Sequence, residues 1–447
     1  MASLFPFLIA LLLFSQALMG RYYFGEKSRP LTLVLLFWSG LFFLYSITPV
    51  QYIALSVELF LFLLSSFIMF FVGYVLAMKS KGVGYSLPSL SNRHIKVITF
   101  FGIILICVTI YLKYQMIIQM IGLATDILSM SATIRESTLS GDLASSDLIK
   151  VLELFVIPFL FLSVVLIYQD ERNLKYSGMF LILMIMIYET MNMSRGEIVY
   201  LFLMIITFYF IAIQANLKGS ARKEKRKMLI KSIVIIVILF QVLAVVRARG
   251  GADAVVRYVE STLTIESWVP KSIKESTFFL TNIQLIHYLS SGIAGLADYT
   301  KDGVPVVPQY WGGHSFAGLI KVTSKISEDG FKPREAFNYN YKVISYPSST
   351  NVYTFFREHL DDFGAYGSLI LHFFWGWLLG KSYLRYLRCS SYKNLVVPMA
   401  LTIWYMYGGF IMQTVYFNAI VWPIIVYFMM GLVSKKISFL SQGTSVR

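Results

Sequence analysis

Three arginine patches hold the chemistry open to this sequence. Arg195 lies in Ser194-Arg195-Gly196-Glu197. Arg247 and Arg249 lie in Val246-Arg247-Ala248-Arg249-Gly250-Gly251, and Arg357 in Phe355-Phe356-Arg357-Glu358-His359. A guanidinium keeps its charge, and its planar fork meets a phosphate through two parallel hydrogen bonds. Gly196 and Gly250 stand beside Arg195 and Arg249, and without a Cβ they let backbone N–H groups approach the same anion. The patches therefore suit a phosphate held at a membrane interface. Next to Arg357, the side chains Glu358, His359, Asp361 and Asp362 offer groups that could take a proton from a hydroxyl within hydrogen-bond reach. His314, in Tyr310-Trp311-Gly312-Gly313-His314-Ser315, is a further candidate base. Tyr299, Tyr310, Trp311, Tyr339, Tyr341, Tyr346 and Tyr353 present rings that suit sugar faces and also an interfacial belt, the more common reason for such rings. Plainer readings stand beside each of these. Single arginines at helix ends snorkel to head groups, a lone His packs, and Asp362-Phe363-Gly364 also reads as an N-cap opening a helix.

These residues are set in an unusually apolar chain. Of its 447 residues 57% are hydrophobic and 14% charged, where a soluble domain carries roughly a quarter charged residues. In lipid every backbone polar group must be paired within the protein, which leaves helices and closed barrels. Barrel strands alternate in polarity, whereas this chain has solid apolar runs of about 17–25 residues, the length a helix needs to cross roughly 30 Å. The sequence thus predicts an all-α polytopic transmembrane bundle of about eleven spans. They fall near 3–20, 31–48, 53–77, 97–113, 151–168, 178–192, 197–215, 232–248, 364–380, 395–411 and 415–433, with 115–123 as a re-entrant or interfacial piece. The organisation follows: an N-terminal bundle over 1–248, a large loop over 249–363, and C-terminal transmembrane helices over 364–447. Within the loop, Phe279, Ile283, Ile286 and Ser290 share one helical face, which predicts amphipathic helices over the mouth of the bundle.

Charge orients this bundle. With the C-terminus cytoplasmic, the cytoplasmic segments hold 23 of the 39 Lys and Arg residues and four acids, while the long loop holds 11 basic and 12 acidic residues. The net charge of +15 therefore comes from the cytoplasmic face, as the positive-inside rule requires. The N-terminus is then outside, and all three arginine patches fall at the outer boundary. The first apolar run has no basic residue ahead of it, the reverse of a signal peptide. The basic run Lys218 to Lys231 reads as a topology anchor on anionic lipid rather than a nucleic-acid site. Cys107 and Cys389 fall on different levels and suggest neither a disulfide nor a metal cluster. The sequence has no GxxxxGK[ST], HExxH or GxSxG motif, and its cytoplasmic loops are too short for a nucleotide-binding domain. Glu58, Glu153 and Glu189 sit near span ends, leaving His372 as the main ionisable group at depth, where a proton-coupled pump would carry more.

On these features the chain resembles the Wzy-type polymerases of bacterial O-antigen and capsule synthesis. The resemblance rests on the Ser-Arg-Gly turn at 194–196, the Arg-x-Arg-Gly-Gly emergence at 247–251 and the large outer loop. It is carried furthest by Ser349-Thr350-Asn351-Val352-Tyr353-Thr354 leading into Asp362-Phe363-Gly364-Ala365-Tyr366-Gly367. It covers the hydropathy profile of nearly the whole chain but motifs only in short patches, and the acidic cluster 358–361 is richer than the family pattern. The resemblance implies a GT-C-like fold in the bacterial inner membrane. It also implies en bloc transfer of a glycan from undecaprenyl diphosphate to a lipid-linked repeat unit at the periplasmic face, with no nucleotide, no metal and no other cofactor. Membrane lipids and a chain-length-regulating co-polymerase are the implied partners. On this reading Arg195 and Arg249 clamp the diphosphate, Arg357 flanks the acceptor, and Glu358 or Asp361 is the base. Arg247, Gly196, Gly250, Tyr353 and His314 complete the substrate site. An O-antigen ligase or a lipid-linked oligosaccharide flippase are the alternatives.

Overall fold

A computed structural model describes residues 4–78, 92–121, 147–169, 171–192, 196–213, 251–316, 354–389, 391–409 and 417–433, with separate positions at 224, 226–227, 229–231, 233–234, 320 and 348. Among them the chain is helical throughout, apart from turns and one isolated antiparallel bridge between Val50 and Ile265. Four stretches are long and apolar enough to cross a membrane: Leu4–Ile47, Val57–Ala77, Arg93–Gln119 and Leu148–Ile167. Ile198–Ala212 and Ala419–Val433 are shorter apolar helices. The outward faces of these helices are as apolar as the inward ones. On α1 (Leu4–Phe24), Ile9, Leu13 and Ala17 are buried while Leu11, Phe14 and Leu18 point out. Such continuous exposed apolar surface is stable only against lipid or a partner.

The first stretch folds back on itself. Gly25, at a φ of 52°, opens a 3₁₀ turn over Gly25–Ser28, and Pro30 starts α2 (Arg29–Ile47). The antiparallel pair is tied by Ser39 Oγ donating to Ala10 O at 2.8 Å. Helix α3 (Val57–Ala77) is capped by Ser56, whose hydroxyl accepts Leu59 N–H, with Glu58 in the first turn where the helix dipole favours a negative charge. Helix α4 runs unbroken over Asn92–Ile121, so most of the stretch expected to be re-entrant is the end of one long helix. The span expected at 151–168 is divided into α5 (Asp147–Glu153) and α6 (Val156–Ile167), followed by α7 (Arg172–Asn192). Helix α8 (Gly196–Phe208) widens into a π-helical turn at Tyr209–Ile213. That turn's Phe210 carbonyl accepts the buried Arg29 guanidinium at 2.8 Å. The expected span at 232–248 lies almost wholly outside the described residues.

Contacts sort the helix ends into two sets. At one end, Lys96 pairs with Glu171 at 3.2 Å, Gln169 donates to Tyr392 OH at 3.0 Å, and Arg29 meets Glu26. At the other, Lys113 pairs with Glu153 at 3.6 Å, and Tyr188 OH donates to the same carboxylate.

In the long loop, α9 (Gly251–Thr262) and the short α10 (Lys271–Lys274) precede α11 (Thr277–Tyr299). Helix α11 is longer and deeper than a surface helix. Its first half builds a small cluster with Val50, Val259 and Leu263 through Leu280 and Ile283. Its second half, through Ile293, Ala294, Leu296 and Ala297, joins the main core of the bundle. Gly292 makes that entry possible: a Cβ there would lie 2.4 Å from Gly409 O. The helix expected to lie over the mouth is therefore partly inserted into it.

Two parallel helices position the site. Helix α12 (Phe355–Arg388) lies against α3 along three glycines. A Cβ on Gly73 would fall 2.1 Å from Phe373 O, one on Gly376 2.0 Å from Phe70 O, and one on Gly380 2.6 Å from the Ala77 Cβ. Backbones this close stand in direct van der Waals contact, the packing available to helices in lipid. Above this contact, Trp38, Phe67, Phe70, Phe355, Phe356 and Tyr405 form an aromatic core. Trp38 Nε1 donates to Tyr405 O at 3.1 Å, which joins α2 to α13 (Tyr392–Tyr407). Helix α14 (Phe417–Val433) completes the described chain.

Candidate functional site

Helix α12 does not begin at Asp362. It begins seven residues earlier, at Phe355, and breaks at Gly364, whose φ of 63° and ψ of −178° belong to a region open essentially to glycine. Residues 355–363 thus form a short helical piece ahead of the span. The turn 305–316 docks into the break. Ala365 N donates to Pro305 O at 2.8 Å, and Gln309 N and Tyr310 N both donate to Asp361 O, at 2.7 and 3.1 Å. The Asp362 side chain, expected as an N-cap, holds the same turn from the other side. It accepts His314 N at 3.0 Å on one oxygen and Ser315 N on the other. Its charge is met by two buried backbone donors.

This docking collects side chains from three parts of the sequence. Arg357 and Asp361 sit one helical turn apart, with Nε to Oδ2 at 3.9 Å. Tyr299, the last residue of α11, donates its hydroxyl to the other Asp361 oxygen. The Arg357 guanidinium lies 5.2 Å from the Tyr299 ring centroid, a cation–π arrangement. The Tyr310 ring meets the His314 imidazole edge-on at 4.4 Å. Burial pushes the Asp361 carboxyl up, against the opposing pull of Tyr299 and Arg357. Burial likewise lowers His314, although Asp362 and Asp361 favour its charge. Tyr299 is pushed well up, first by burial and then by its bond to Asp361.

Glu358 differs from its neighbours. Its Oε2 is buried and has no hydrogen-bond partner among the described residues. Burial pushes its carboxyl up to about 8, with Arg357 opposing only in part. Asp361 is already engaged by Tyr299 and Arg357, which makes it a group that positions. Glu358 is the one with an oxygen to offer a substrate. The cluster thus sets one guanidinium, that of Arg357, among the carboxyl groups of Glu358, Asp361 and Asp362 and the imidazole of His314. It is not a cationic patch, and its chemistry suits a hydroxyl better than a phosphate.

Of the site residues expected from sequence, Arg357, Glu358, Asp361 and His314 are brought together here. Gly196 is found opening α8. Arg195, Arg247, Arg249, Gly250 and Tyr353 lie outside the described residues. Sequence reading placed Tyr299 only among the loop aromatics, because nothing local links it to a carboxylate 62 positions away. The pairing of Arg357 with Asp361 had a signal, the i,i+4 spacing that puts both on one helical face.

Deeper in the bundle, His372 is not isolated. Its Nδ1 lies 2.8 Å from Tyr405 OH and its Nε2 3.4 Å from His359 Nδ1, walled by Phe355 and Phe356. Both cysteines are unbridged.

No protein-family model matches the chain, and no curated protein and no solved structure is significantly similar to it.

Proposed function

We propose that this chain is a Wzy-type polymerase, a membrane glycosyltransferase that joins undecaprenyl-diphosphate-linked oligosaccharides en bloc. The observation that carries the proposal is the acid–base cluster of Tyr299, His314, Arg357, Glu358 and Asp361, assembled at one end of an apolar helical bundle. Two further features support it. The helix ends found together are those that charge assigns to one face: Lys96, Glu171 and Gln169 to the cytoplasmic face, Lys113 and Glu153 to the periplasmic face. The glycine break in Asp362-Phe363-Gly364, a motif of the resemblance, is the point where the docked turn meets the cluster.

In this reading the protein has about eleven spans and a GT-C-like bundle in the bacterial inner membrane, with the N-terminus periplasmic and the C-terminus cytoplasmic. The acid–base cluster is the acceptor side. Glu358, ionised, takes the proton of the acceptor hydroxyl as that oxygen bonds to the anomeric carbon of the donor glycan. The bond from that carbon to the diphosphate oxygen breaks, and undecaprenyl diphosphate leaves with the electron pair. Arg195 and Arg249 meet the growing charge, which is electrostatic catalysis without a nucleotide. Arg357, held by Asp361 and Tyr299, orients the acceptor. A co-polymerase sets chain length.

The test is a polysaccharide gel from cells lacking this gene, complemented with wild-type protein or Arg357→Ala. A polymerase restores a long ladder in the first case and leaves core plus one repeat unit in the second. Core with no repeat unit in the deletion strain would instead indicate ligation or translocation.

A further inference from the structure

The turn that seats His314 also carries a ring that no part of the proposed mechanism uses. Trp311 is 78% exposed, although it follows the half-buried Tyr310 and precedes the buried Gly312. Its φ of 48° makes it the positive-φ residue other than glycine among the described residues. A bulky side chain is disfavoured in that region, so a tryptophan on this exposed turn carries a cost that a use for the ring would offset. The outward position is fixed on both sides. Before it, Gln309 N and Tyr310 N are bonded to Asp361 O. After it, Gly313 N donates to Tyr310 O at 2.9 Å, and His314 N and Ser315 N are bonded to the Asp362 carboxylate. Gly312, at a φ of 91°, reverses the chain directly behind the ring and packs on Phe316 and Phe363. The indole is thus an exposed plate on a backbone held at both sides by the two aspartates that also stand beside Arg357 and Glu358.

We propose that Trp311 is a stacking platform for a pyranose ring of the glycan, immediately beside the reacting sugar. The apolar C–H face of a pyranose lies on an indole, while its hydroxyl edges need acids and bases nearby. Here the plate and such groups are joined through one short turn. This inference rests on the polymerase reading for the identity of the glycan. The occupant proposed is the sugar, because the turn is tied to the acid–base cluster on both sides.

The experiment uses full-length protein in nanodiscs, labelled with 5-fluorotryptophan, with the Trp311 signal assigned by its loss in Trp311→Phe. The probe is the lipid-free repeat oligosaccharide released from the host polysaccharide by mild acid. Saturable movement of the Trp311 fluorine resonance with added oligosaccharide is the expected result. Trp311→Gly accepts the same φ without strain, so the variant should accumulate normally. It should bind the probe at least tenfold more weakly and raise KM for the acceptor with little change in kcat. A Trp311 signal that ignores the oligosaccharide but is broadened by head-group spin-labelled lipid would overturn the proposal and make the residue an anchor. If cells lacking the gene show core with no repeat unit, or keep the long ladder, while oligosaccharide still moves the Trp311 signal, the polymerase reading fails and the glycan site stands.

Discussion

Replacing Gly364 with alanine should separate the docked turn from the α12 break, and the structure sets the scale of the damage. The φ of 63° with ψ of −178° lies where a side chain costs about 1–3 kcal/mol. The new Cβ would stand 2.0 Å from Val306 O, 2.7 Å from Val306 C and 3.2 Å from Pro308 N. Non-bonded carbons rest at about 3.5–4.0 Å, so the 305–308 backbone must retreat by more than about 1 Å. Overpacking of this kind costs a further ~1–3 kcal/mol. The bond from Ala365 N to Pro305 O lies at the same point, and the bonds of Gln309 N and Tyr310 N to Asp361 O follow within one turn. Together these give roughly 2–6 kcal/mol against a total stability of ~5–15 kcal/mol, concentrated on the turn that carries His314. The assay pairs an immunoblot of the membrane fraction with the polysaccharide ladder. Gly40→Ala is the control, since a Cβ there meets nothing within 4 Å. The expected result is a shortened or absent ladder from Gly364→Ala that exceeds any loss of protein, and no change from Gly40→Ala. A full ladder from Gly364→Ala at wild-type abundance would refute the idea that the docked turn builds the site.

Other predictions follow from the same geometry. Asp362→Asn leaves one oxygen for the two N–H groups of His314 and Ser315, and a buried donor left unpaired costs ~1–3 kcal/mol; the ladder should shorten, and proteolysis between 305 and 316 should quicken. Burial raises Glu358 to about 8, so its proton is retained at neutral pH and must be lost before it can act as a base. The transfer rate in nanodiscs should therefore rise about tenfold per pH unit below 8 and level off above it. Glu358→Gln should remove that limb, and a flat wild-type profile from pH 6 to 9 would exclude Glu358 as the base. Gly376→Leu would drive a side chain into Phe70 O, 2.0 Å from the Cβ position, and should cut membrane abundance several-fold, measured by immunoblot.

Sequence pattern exposed the helical membrane bundle because the signal is repeated along the chain and set by lipid. Runs such as Val57–Ala77 leave little alternative. Boundaries were less legible where tertiary contacts decide them. Helix α4 continues to Ile121 past the polar residues Lys113 and Gln115, since Lys113 finds Glu153. Asp362 read as a cap because Asp before an apolar run usually is one; the competing demand came from His314 and Ser315, 48 and 47 positions away. The inward half of α11 was hidden for a similar reason. Its Gly292 to Ala297 stretch is apolar enough for the core, but only contact with Gly409 shows which core it enters.

The charge of the cluster leads to a test of how the arginines divide their work. Arg357 faces Asp361 one turn along its own helix, and the next residue, Asp362, holds His314 N and Ser315 N, so the guanidinium stands among carboxyl groups. A diphosphate brought to this point would meet carboxylates as well as a guanidinium. In the proposed reaction the leaving group therefore takes other cations, the roles proposed for Arg195 and Arg249. The two groups should then fail differently. Arg195→Ala or Arg249→Ala should lower kcat on the order of 10²-fold or more, the usual scale for losing a donor to developing charge. Arg357→Ala should raise KM for the acceptor, and Arg357→Lys should recover little, because an ammonium lacks the planar fork and stacks poorly on Tyr299. Transfer between fluorescent lipid-linked donor and acceptor, with each varied separately, resolves the two. Donor-side and acceptor-side defects that cannot be told apart would mean that one mixed site holds both substrates. Full polymer length with both Arg195→Ala and Arg249→Ala would remove the diphosphate clamp from the proposal.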